Sequence, residues 1–327
     1  MQGITSDVAI VMATYNGEKY IEEQVESLQK QTYPHWKLFI SDDMSSDRTV
    51  NIVKRLCETD KRISLLKTDK NLGVTLNFLN ALETVFNLNQ FDYFMFSDQD
   101  DVWMPDKIEL TIKYMKEQEK NADIVLVHTD LRVVDETAQT IICESYKRFA
   151  GLKNIEENVF ERLLAQPFVF GCTVMINKEL VKRLFPIPAN VYAHDSWASL
   201  VAAGLGKVAY LNVPTISYRQ HNSNASGGTS EKSFINRIKR VTIGWKKQID
   251  ITRRRVKQCS DLLDYLEKGT MYYDILEKYC LDIRQSSIKA IKTSIQQKIL
   301  RQGFFANVLY FITIFFIERK NDVRECV

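Results

Sequence analysis

Apolar and polar positions alternate along the first 130 residues in a way that predicts strands and helices in turn. Mainly apolar runs typical of buried strands occupy residues 8–13, 37–41, 63–66, 91–96 and 122–128. Between them, helical spacing of apolar side chains covers residues 17–31, 45–59, 74–86 and a segment that begins at Pro105. This alternation predicts an α/β fold whose sheet is mostly parallel and doubly wound.

The pattern weakens after residue 132 and later changes character. Strands are predicted at residues 168–176 and 208–211, with a short helix at 194–203. Beyond the polar loop at 222–230, basic residues and helical spacing dominate as far as residue 320. We therefore expect a sheet-containing domain at 1–230 and a basic, helical C-terminal region at 231–327.

Composition and charge narrow the class of protein. The chain is 45% apolar and 26% charged, which excludes disordered and fibrous proteins. Residues 1–230 carry a net charge of −6 and residues 231–327 a net charge of +9, so the two regions differ in electrostatic character. Six cysteines without a CxxC pair favour neither a zinc knuckle nor a disulfide framework, and the first apolar run is too short for a signal peptide. A cytoplasmic location is therefore expected.

Polar side chains follow three of the predicted strands at the point where each strand ends. They are Thr14, Tyr15 and Asn16 after the first strand, Asp42 and Asp43 after the second, and Asp98, Asp100 and Asp101 after the fourth. Ligands bind beyond the carboxyl ends of strands in open parallel sheets, so these side chains are expected to share one crevice. Simpler alternatives are helix capping by Ser45 or Asp47 and packing of the Tyr15 ring over the sheet edge.

The acidic cluster after the fourth strand suggests a metal site. Three carboxylates within four residues repel one another and lose solvation if they are buried. Mg²⁺ or Mn²⁺ would relieve both penalties and would bridge the protein to a diphosphate. Neither GxGxxG nor GxxxxGK[ST] occurs, which leaves a cation and carboxylates as the route to a nucleotide diphosphate. The alternative is a surface acidic turn that caps the helix at Pro105.

Three of these segments together resemble family 2 glycosyltransferases of the GT-A fold. They are residues 13–17 (ATYNG), 41–47 (SDDMSSD) and 97–106 (SDQDDVWMPD), and the third is most similar to bacterial rhamnosyltransferases of cell-wall or O-antigen synthesis. The resemblance covers residues 6–225. It implies that Thr14, Tyr15 and Asn16 line the base and ribose pocket, that Asp43 accepts the pyrimidine N3–H, and that Asp42 supports its loop or the ribose. It also implies that Asp98 and Asp100 form the metal-binding DxD pair and that Asp101 contacts the sugar.

Two later segments fit the same scheme. The resemblance implies that Asp195, which opens a short helix, is the base that deprotonates the acceptor hydroxyl; it could also serve as the cap of that helix. His194 beside it is expected to be structural. In the loop that follows the last predicted strand, Arg219 could pair with phosphate and His221 could ligate the metal, so the loop could close over the donor. The alternative is a polar interdomain loop.

The C-terminal region offers four interpretations. Nucleic acid is disfavoured because no recognition motif is present and the rest of the chain is acidic. Residues 302–317 lack any charge, and as a helix they would span about 24 Å, short of the roughly 30 Å hydrocarbon core. This segment is therefore expected to lie on a membrane surface or against a partner, which could be a second copy in a homodimer. Burial in the chain's own core is the alternative.

The predicted function is an inverting glycosyltransferase that requires Mg²⁺ or Mn²⁺. It would transfer a sugar, with L-rhamnose from dTDP-rhamnose as the first candidate and UDP-sugars as the second, to a glycan or a polyprenyl-linked glycan. A polyprenyl-linked acceptor would place the protein on the inner face of the cytoplasmic membrane. Two alternatives remain: a nucleotidyltransferase that acts on a sugar phosphate, and a non-catalytic nucleotide-sugar-binding subunit.

Overall fold

A nine-stranded sheet forms the centre of the computed structural model, which describes residues 8–152, 156–189, 191–221 and 245–317. The strands are β1 (Val8–Thr14), β2 (Trp36–Asp42), β3 (Ile63–Leu66), β4 (Tyr93–Ser97), β5 (Val102–Trp103), β6 (Val125–Val134), β7 (Ile141–Cys143), β8 (Val174–Asn177) and β9 (Lys207–Arg219). Their order across the sheet is β3-β2-β1-β4-β8-β6-β9-β5, and β7 pairs with β6. The predicted α/β fold is confirmed.

The strand directions bring the predicted polar ends together. β1, β2, β3 and β4 are parallel neighbours, so the carboxyl ends of β1, β2 and β4 lie at one edge of the sheet. β8 runs antiparallel to both β4 and β6, while β6 and β9 are again parallel. The antiparallel course of β8 places the segment that precedes β8 at the same edge.

Helices cover both faces of the sheet. They are α1 (Ile21–Gln29), α2 (Thr49–Thr59), α3 (Val74–Phe86), α4 (Lys107–Gln118), α5 (Tyr146–Phe149), α6 (Val159–Ala165), α7 (Lys178–Leu184), α8 (His194–Leu205), α9 (Trp245–Asp261), α10 (Met271–Gln285), α11 (Ser287–Gln296) and α12 (Phe304–Phe316). One apolar cluster contains Val25 and Ile108 from α1 and α4. The other contains Phe78 and Leu200 from α3 and α8, which confirms the doubly wound arrangement.

The strand predicted at residues 168–176 is wrong in its first half. A 3-10 turn occupies Gly171–Thr173, and β8 begins only at Val174. The reason is tertiary: the Gly171 N–H donates to Asp195 Oδ2 at 2.9 Å, and a β-carbon at position 171 would lie 2.5 Å from His194 Nε2. The backbone at Gly171 therefore bonds to Asp195 instead of pairing with a neighbouring strand.

The strand predicted at residues 208–211 is longer than expected. β9 runs from Lys207 to Arg219 because it pairs with β6 as far as the match of Val134 with Arg219. Register irregularities between Thr129 and Arg132 allow the two strands to stay paired over this length. The extension carries residues 218 and 219 to the edge of the sheet where β1, β2 and β4 end.

The C-terminal helices pack on the same apolar cluster as α3 and α8. Leu262, Tyr279 and Tyr310 are buried in it, while the expected boundary near residue 230 lies outside the described residues. The buried Arg255 donates to the carbonyls of Leu163 and Ala165 at 2.7 and 2.9 Å. Part of the basic stretch therefore has an internal structural role.

The apolar segment at residues 302–317 is partly buried in the chain's own core and partly exposed. In α12, Tyr310 and Ile314 are buried, whereas Phe304 and Phe305 are 77% and 85% exposed. In the parts of the chain that the structure describes, every helix is too short or too polar to pass through a bilayer.

We predict that Arg255→Met lowers the free energy of unfolding by about 2–4 kcal/mol, because two buried carbonyls lose a charged donor. Arg254→Met is the matched control, since Arg254 is exposed and lies over the Tyr192 ring at 5.5 Å. Urea unfolding followed by circular dichroism measures both variants. Equal stability of the two variants would contradict the anchoring role of Arg255.

Candidate active site

A cleft of about 790 Å³ opens at the sheet edge where β1, β2 and β4 end. Along the strand order, its walls come from β2 and β1, then from the turn after β4, and then from the segments next to β8, β6 and β9. Residues that line it include Thr14, Tyr15, Asp43, Asn71, Asp98, Asp100, Tyr146, Phe170, Asp195 and Tyr218. Most of the predicted strand-end residues therefore meet in one place.

Asp42 lies behind the cleft wall and holds the loop after β2. Its carboxylate accepts hydrogen bonds from the Thr14 hydroxyl at 2.8 Å and from the Ser45 N–H and hydroxyl at 2.8 and 2.6 Å. With three donors already bound, Asp42 supports the loop, which is one of its two expected roles. Thr14 lines the cleft but is only 2% exposed.

Asp43 reaches the cleft and organises a second loop. Its carboxylate oxygens accept the N–H groups of Leu72 and Gly73 at 2.6 and 2.8 Å, and Asn71 donates to its carbonyl at 2.7 Å. Gly73 suits this bend because its φ is +75°. The loop brings Asn71 into the cleft wall, a placement for which the sequence contained no signal.

The turn after β1 is tied to the turn after β4. The Tyr15 N–H donates to Gln99 Oε1 at 3.0 Å, and Gln99 Nε2 donates to the Tyr15 carbonyl at 3.1 Å. A β-carbon at position 17 would lie 2.1 Å from Gln99 Oε1, so a larger residue there would displace the Gln99 amide. The Tyr15 ring is half-exposed and lines the cleft, so it is not buried over the sheet edge.

The expected place of Asn16 in the base and ribose pocket is not observed. Asn16 is absent from the cleft lining, and its Oδ1 accepts the Ser46 N–H at 2.8 Å. Its own N–H donates to the Ser45 hydroxyl at 2.8 Å. Asn16 therefore joins the loops after β1 and β2 and contacts the site only through them.

The expected metal ligands Asp100 and His221 are in contact. His221 Nε2 lies 2.8 Å from Asp100 Oδ2, and the His221 ring stacks on Tyr20 with 4.7 Å between centroids. Burial, together with the negative charges of Asp100 and Asp195, raises the pKa of Asp98 to about 7. Carboxylate and imidazole donors beside a carboxylate that resists ionisation fit a divalent cation such as Mg²⁺ or Mn²⁺.

Asp101 is placed differently from the expectation. It is fully buried, does not line the cleft, and accepts the Arg219 N–H at 3.3 Å, so its side chain is not exposed to a sugar in the cleft. Among the described residues its Oδ2 has no partner, and burial raises its pKa well above the ordinary value. Ligating atoms of Asp98, Asp101 and Cys172 all lie within 4.8 Å of one another. Cys172 is isolated in the sequence, so nothing there indicated its place at the site.

Arg219 also differs from the expectation, because its guanidinium points behind the acidic turn. It donates to the carbonyls of Asp100 and Glu136 at 2.9 and 2.8 Å and forms an ion pair with Glu23 at 2.5 Å. Side chains alternate across a strand, so Tyr218 and Gln220 line the cleft while Arg219 does not. Arg219 positions the acidic turn, and its side chain is 2% exposed and does not line the cleft where a phosphate would bind.

Asp195 lies in the first turn of α8 and lines the cleft. Its Oδ2 accepts the Gly171 N–H at 2.9 Å and its Oδ1 accepts the Ser196 N–H at 2.7 Å, while the N-cap position belongs to Ala193. The helix N-terminus favours a negative charge at this point. A carboxylate is thus held at the cleft with both oxygens oriented.

His194 has a structural environment. Its ring is buried and stacks on Phe78 at 4.1 Å, with Phe96 edge-on at 4.8 Å. Burial lowers its pKa, so the neutral ring is favoured. The expected structural role is consistent with this packing.

Comparison with known proteins decides the family. The family model described as "Glycosyl transferase family 2" matches residues 9–185, more than half of the chain. The chain belongs to glycosyl transferase family 2. A relative from Shigella flexneri, named dTDP-rhamnosyl transferase RfbG, is 30% identical over 278 residues, which are 79% of this chain and 89% of the relative.

Solved structures of other glycosyltransferases share the fold. S. aureus TarS 1–349 in complex with UDP-GlcNAc is 16% identical with a TM-score of 0.56, over 89% of this family 2 chain and 80% of TarS. The mannosyltransferase PcManGT from Pyrobaculum calidifontis, in complex with GDP-Man and Mn²⁺, is 16% identical with a TM-score of 0.55, over 94% and 86% of the two chains. At these identities the likeness shows the GT-A fold alone.

We predict that metal-free protein loses thermal stability relative to an Asp98→Asn variant as the pH rises from about 4 to about 7. In this range the folded chain holds the Asp98 proton more tightly than the unfolded chain, so ionisation destabilises the fold. The melting temperatures of both proteins in EDTA measure the effect. Mn²⁺ should raise the wild-type melting temperature more at the upper end of the range than at the lower. A difference between the two proteins that does not change with pH would contradict the prediction.

Proposed function

We propose that this family 2 enzyme transfers a sugar from a nucleoside diphosphate to a glycan or polyprenyl-linked glycan by direct displacement with inversion. L-Rhamnose from dTDP-rhamnose is the first candidate donor, supported by the relative that is named as a dTDP-rhamnosyl transferase. One observation carries the proposal: Asp98, Asp100 and Asp195 line the same cleft, close enough for the charges of Asp100 and Asp195 to raise the pKa of Asp98.

The nucleotide is assigned to the part of the cleft at the ends of β1 and β2. Each Asp43 oxygen keeps a second lone pair after accepting a backbone N–H, and one of them accepts the N3–H of uracil or thymine. Tyr15 and Asn71 lie beside it in the wall. Both bases offer the same N3–H, so these contacts admit dTDP-sugars and UDP-sugars alike.

The diphosphate is assigned to the acidic turn. Asp98, Asp100 and His221 would hold Mg²⁺ or Mn²⁺, which when bound neutralises charge that develops on the leaving diphosphate. Arg219 keeps the turn in place through the Asp100 carbonyl. The protein thus presents the carboxylates of Asp98 and Asp100 at the cleft, with the His221 imidazole against Asp100.

Asp195 is the proposed base. The N–H groups of Gly171 and Ser196 fix the carboxylate and leave a free lone pair on each oxygen. One oxygen accepts the proton of the acceptor hydroxyl as the new C–O bond forms and the bond to the diphosphate breaks. A single displacement inverts the anomeric centre and requires no protein nucleophile.

We predict that Asp195→Asn lowers kcat about 10²–10⁴-fold and leaves donor binding intact, because only proton removal is lost. The assay mixes the full chain with dTDP-rhamnose or UDP-sugars, Mn²⁺ and octyl glycosides as acceptors. The control is Asp92→Asn, an exposed carboxylate next to the amino end of β4. Release of dTDP or UDP supports transfer, release of pyrophosphate would indicate a nucleotidyltransferase, and tight donor binding without turnover would indicate a binding subunit.

We further propose that the exposed face of α12 lies on the inner surface of the cytoplasmic membrane. Phe304, Phe305, Val308, Ile312 and Phe315 recur at helical spacing on that face and are all exposed. Residues 286–317 contain four basic residues and no Asp or Glu, a combination that favours anionic headgroups. This contact would bring the cleft to a lipid-linked acceptor.

We predict that the chain sediments with phosphatidylglycerol vesicles and that the double variant Phe304→Ser, Phe305→Ser does not, because the exposed apolar face is lost. Met271→Ser is the matched control, since it removes an exposed apolar side chain from α10. Size-exclusion chromatography of the same proteins tests the homodimer. A dimer that only the double variant loses, without vesicle binding by the wild type, would replace the membrane proposal.

A further inference from the structure

An aromatic pair lies in the part of the cleft next to the candidate base. The rings of Tyr146 and Phe170 meet edge to face, with 5.2 Å between centroids and an interplanar angle of 87°. Phe170 directly precedes Gly171, whose N–H donates to the Asp195 carboxylate. Both rings line the cleft and are partly exposed.

The position of this pair in the strand order separates it from the nucleotide side. Phe170 precedes β8 and Tyr146 follows β7, which pairs with β6, so both lie beyond β4 when counted from β2 and β1. The acidic turn after β4 stands between the two groups of strands. A ligand on the aromatic side would therefore approach the reacting centre from the direction of Asp195.

Tyr146 lies on α5, a short helix that buried contacts of its neighbour Lys147 anchor to the sheet. α5 has only four residues and could not persist alone. Lys147, which follows Tyr146, is 3% exposed. Its Nζ lies 2.8 Å from His128 Nδ1 and 3.5 Å from the centroid of the Tyr210 ring. Burial lowers the pKa of Lys147 to about 6, which avoids an isolated buried charge. Asp130 adds a hydrogen bond from the Ser145 hydroxyl, so Tyr146 projects from a fixed segment.

The chemistry of Tyr146 suits a carbohydrate. Its hydroxyl has no hydrogen-bond partner in the parts of the chain that the structure describes, although its ring is partly buried. An aromatic ring with a polar end matches a pyranose, which has apolar C–H faces and a rim of hydroxyl groups. The rings of Tyr146 and Phe170 offer the apolar surface, and the hydroxyl offers a donor and an acceptor.

We propose that Tyr146 and Phe170 form the subsite for the acceptor sugar and that Tyr146 determines which acceptor is bound. The inference rests on the proposed function, because it assigns the acceptor of the same reaction. The pyranose ring packs on the aromatic pair, and the Tyr146 hydroxyl bonds one of its hydroxyl groups. This places another hydroxyl of that sugar towards Asp195.

The test uses the full chain with dTDP and Mg²⁺ and takes octyl α-L-rhamnopyranoside as the acceptor probe, with the octyl glycosides of glucose and N-acetylglucosamine beside it. Saturation-transfer NMR measures probe binding. We expect Tyr146→Leu to weaken it about tenfold and Tyr146→Phe to weaken it less, since the ring remains. The matched control is Phe149→Leu, an exposed aromatic residue of α5 that does not line the cleft; it should bind like the wild type.

Three outcomes would overturn the subsite: equal probe binding by the wild type and Tyr146→Leu, failure of the wild type to bind any of the three glycosides, or an equal loss of dTDP affinity in Tyr146→Leu. The last would mean that the substitution acts on the whole cleft. Release of dTDP or UDP by the wild type in the transfer assay tests the proposed function separately. Probe binding that depends on Tyr146, without transfer from any donor, would reject the transferase and leave the sugar subsite standing.

Discussion

The acidic turn after β4 is the constraint around which the site is built. Asp98, Asp100 and Asp101 lie within four residues of one another, and burial leaves the repulsion between their charges poorly screened. Neighbouring groups hold the turn partly through its backbone and through Gln99. Arg219 binds the carbonyl of Asp100, and Gln99 exchanges hydrogen bonds with Tyr15. The Asp98 and Asp100 carboxylates therefore line the cleft, where we propose that they bind a cation.

The turn depends on parts of the chain that are far from it in sequence. Arg219 comes from the end of β9, and its guanidinium links the turn to Glu23 on α1 and to the backbone at Glu136. His221, two residues later, reaches Asp100. β9 stays paired with β6 as far as Arg219, so the register of these strands determines which residues of β9 reach the turn. The proposed metal ligands are thus brought together by the sheet and not by one loop.

The two sides of the cleft are constructed in different ways. On the side of β1 and β2, Asp42 and Asp43 tie neighbouring loops together with backbone and hydroxyl donors, so the wall is rigid and polar. On the other side, an aromatic pair rests on a short helix that the buried Lys147 fastens to β6. A polar wall suits a nucleotide and an aromatic wall suits a sugar, which is consistent with a transferase that takes both at once. The C-terminal helices pack on the apolar cluster of α3 and α8, where Arg255 fixes the end of α6.

The sequence by itself determined the parallel sheet and the meeting of Thr14, Asp43 and Asp98 at one edge, because the carboxyl ends of parallel strands converge whatever their spacing in the chain. It also indicated Asp195 and His221 through the resemblance to a family. Tertiary structure alone decided that Arg219 supports the turn from behind, since the register of β9 sets which side chains face the cleft. Tertiary structure likewise brought in Tyr146 and Cys172, whose neighbours in the chain carry no motif. Their places follow from the antiparallel course of β8 and from buried contacts that no local pattern encodes.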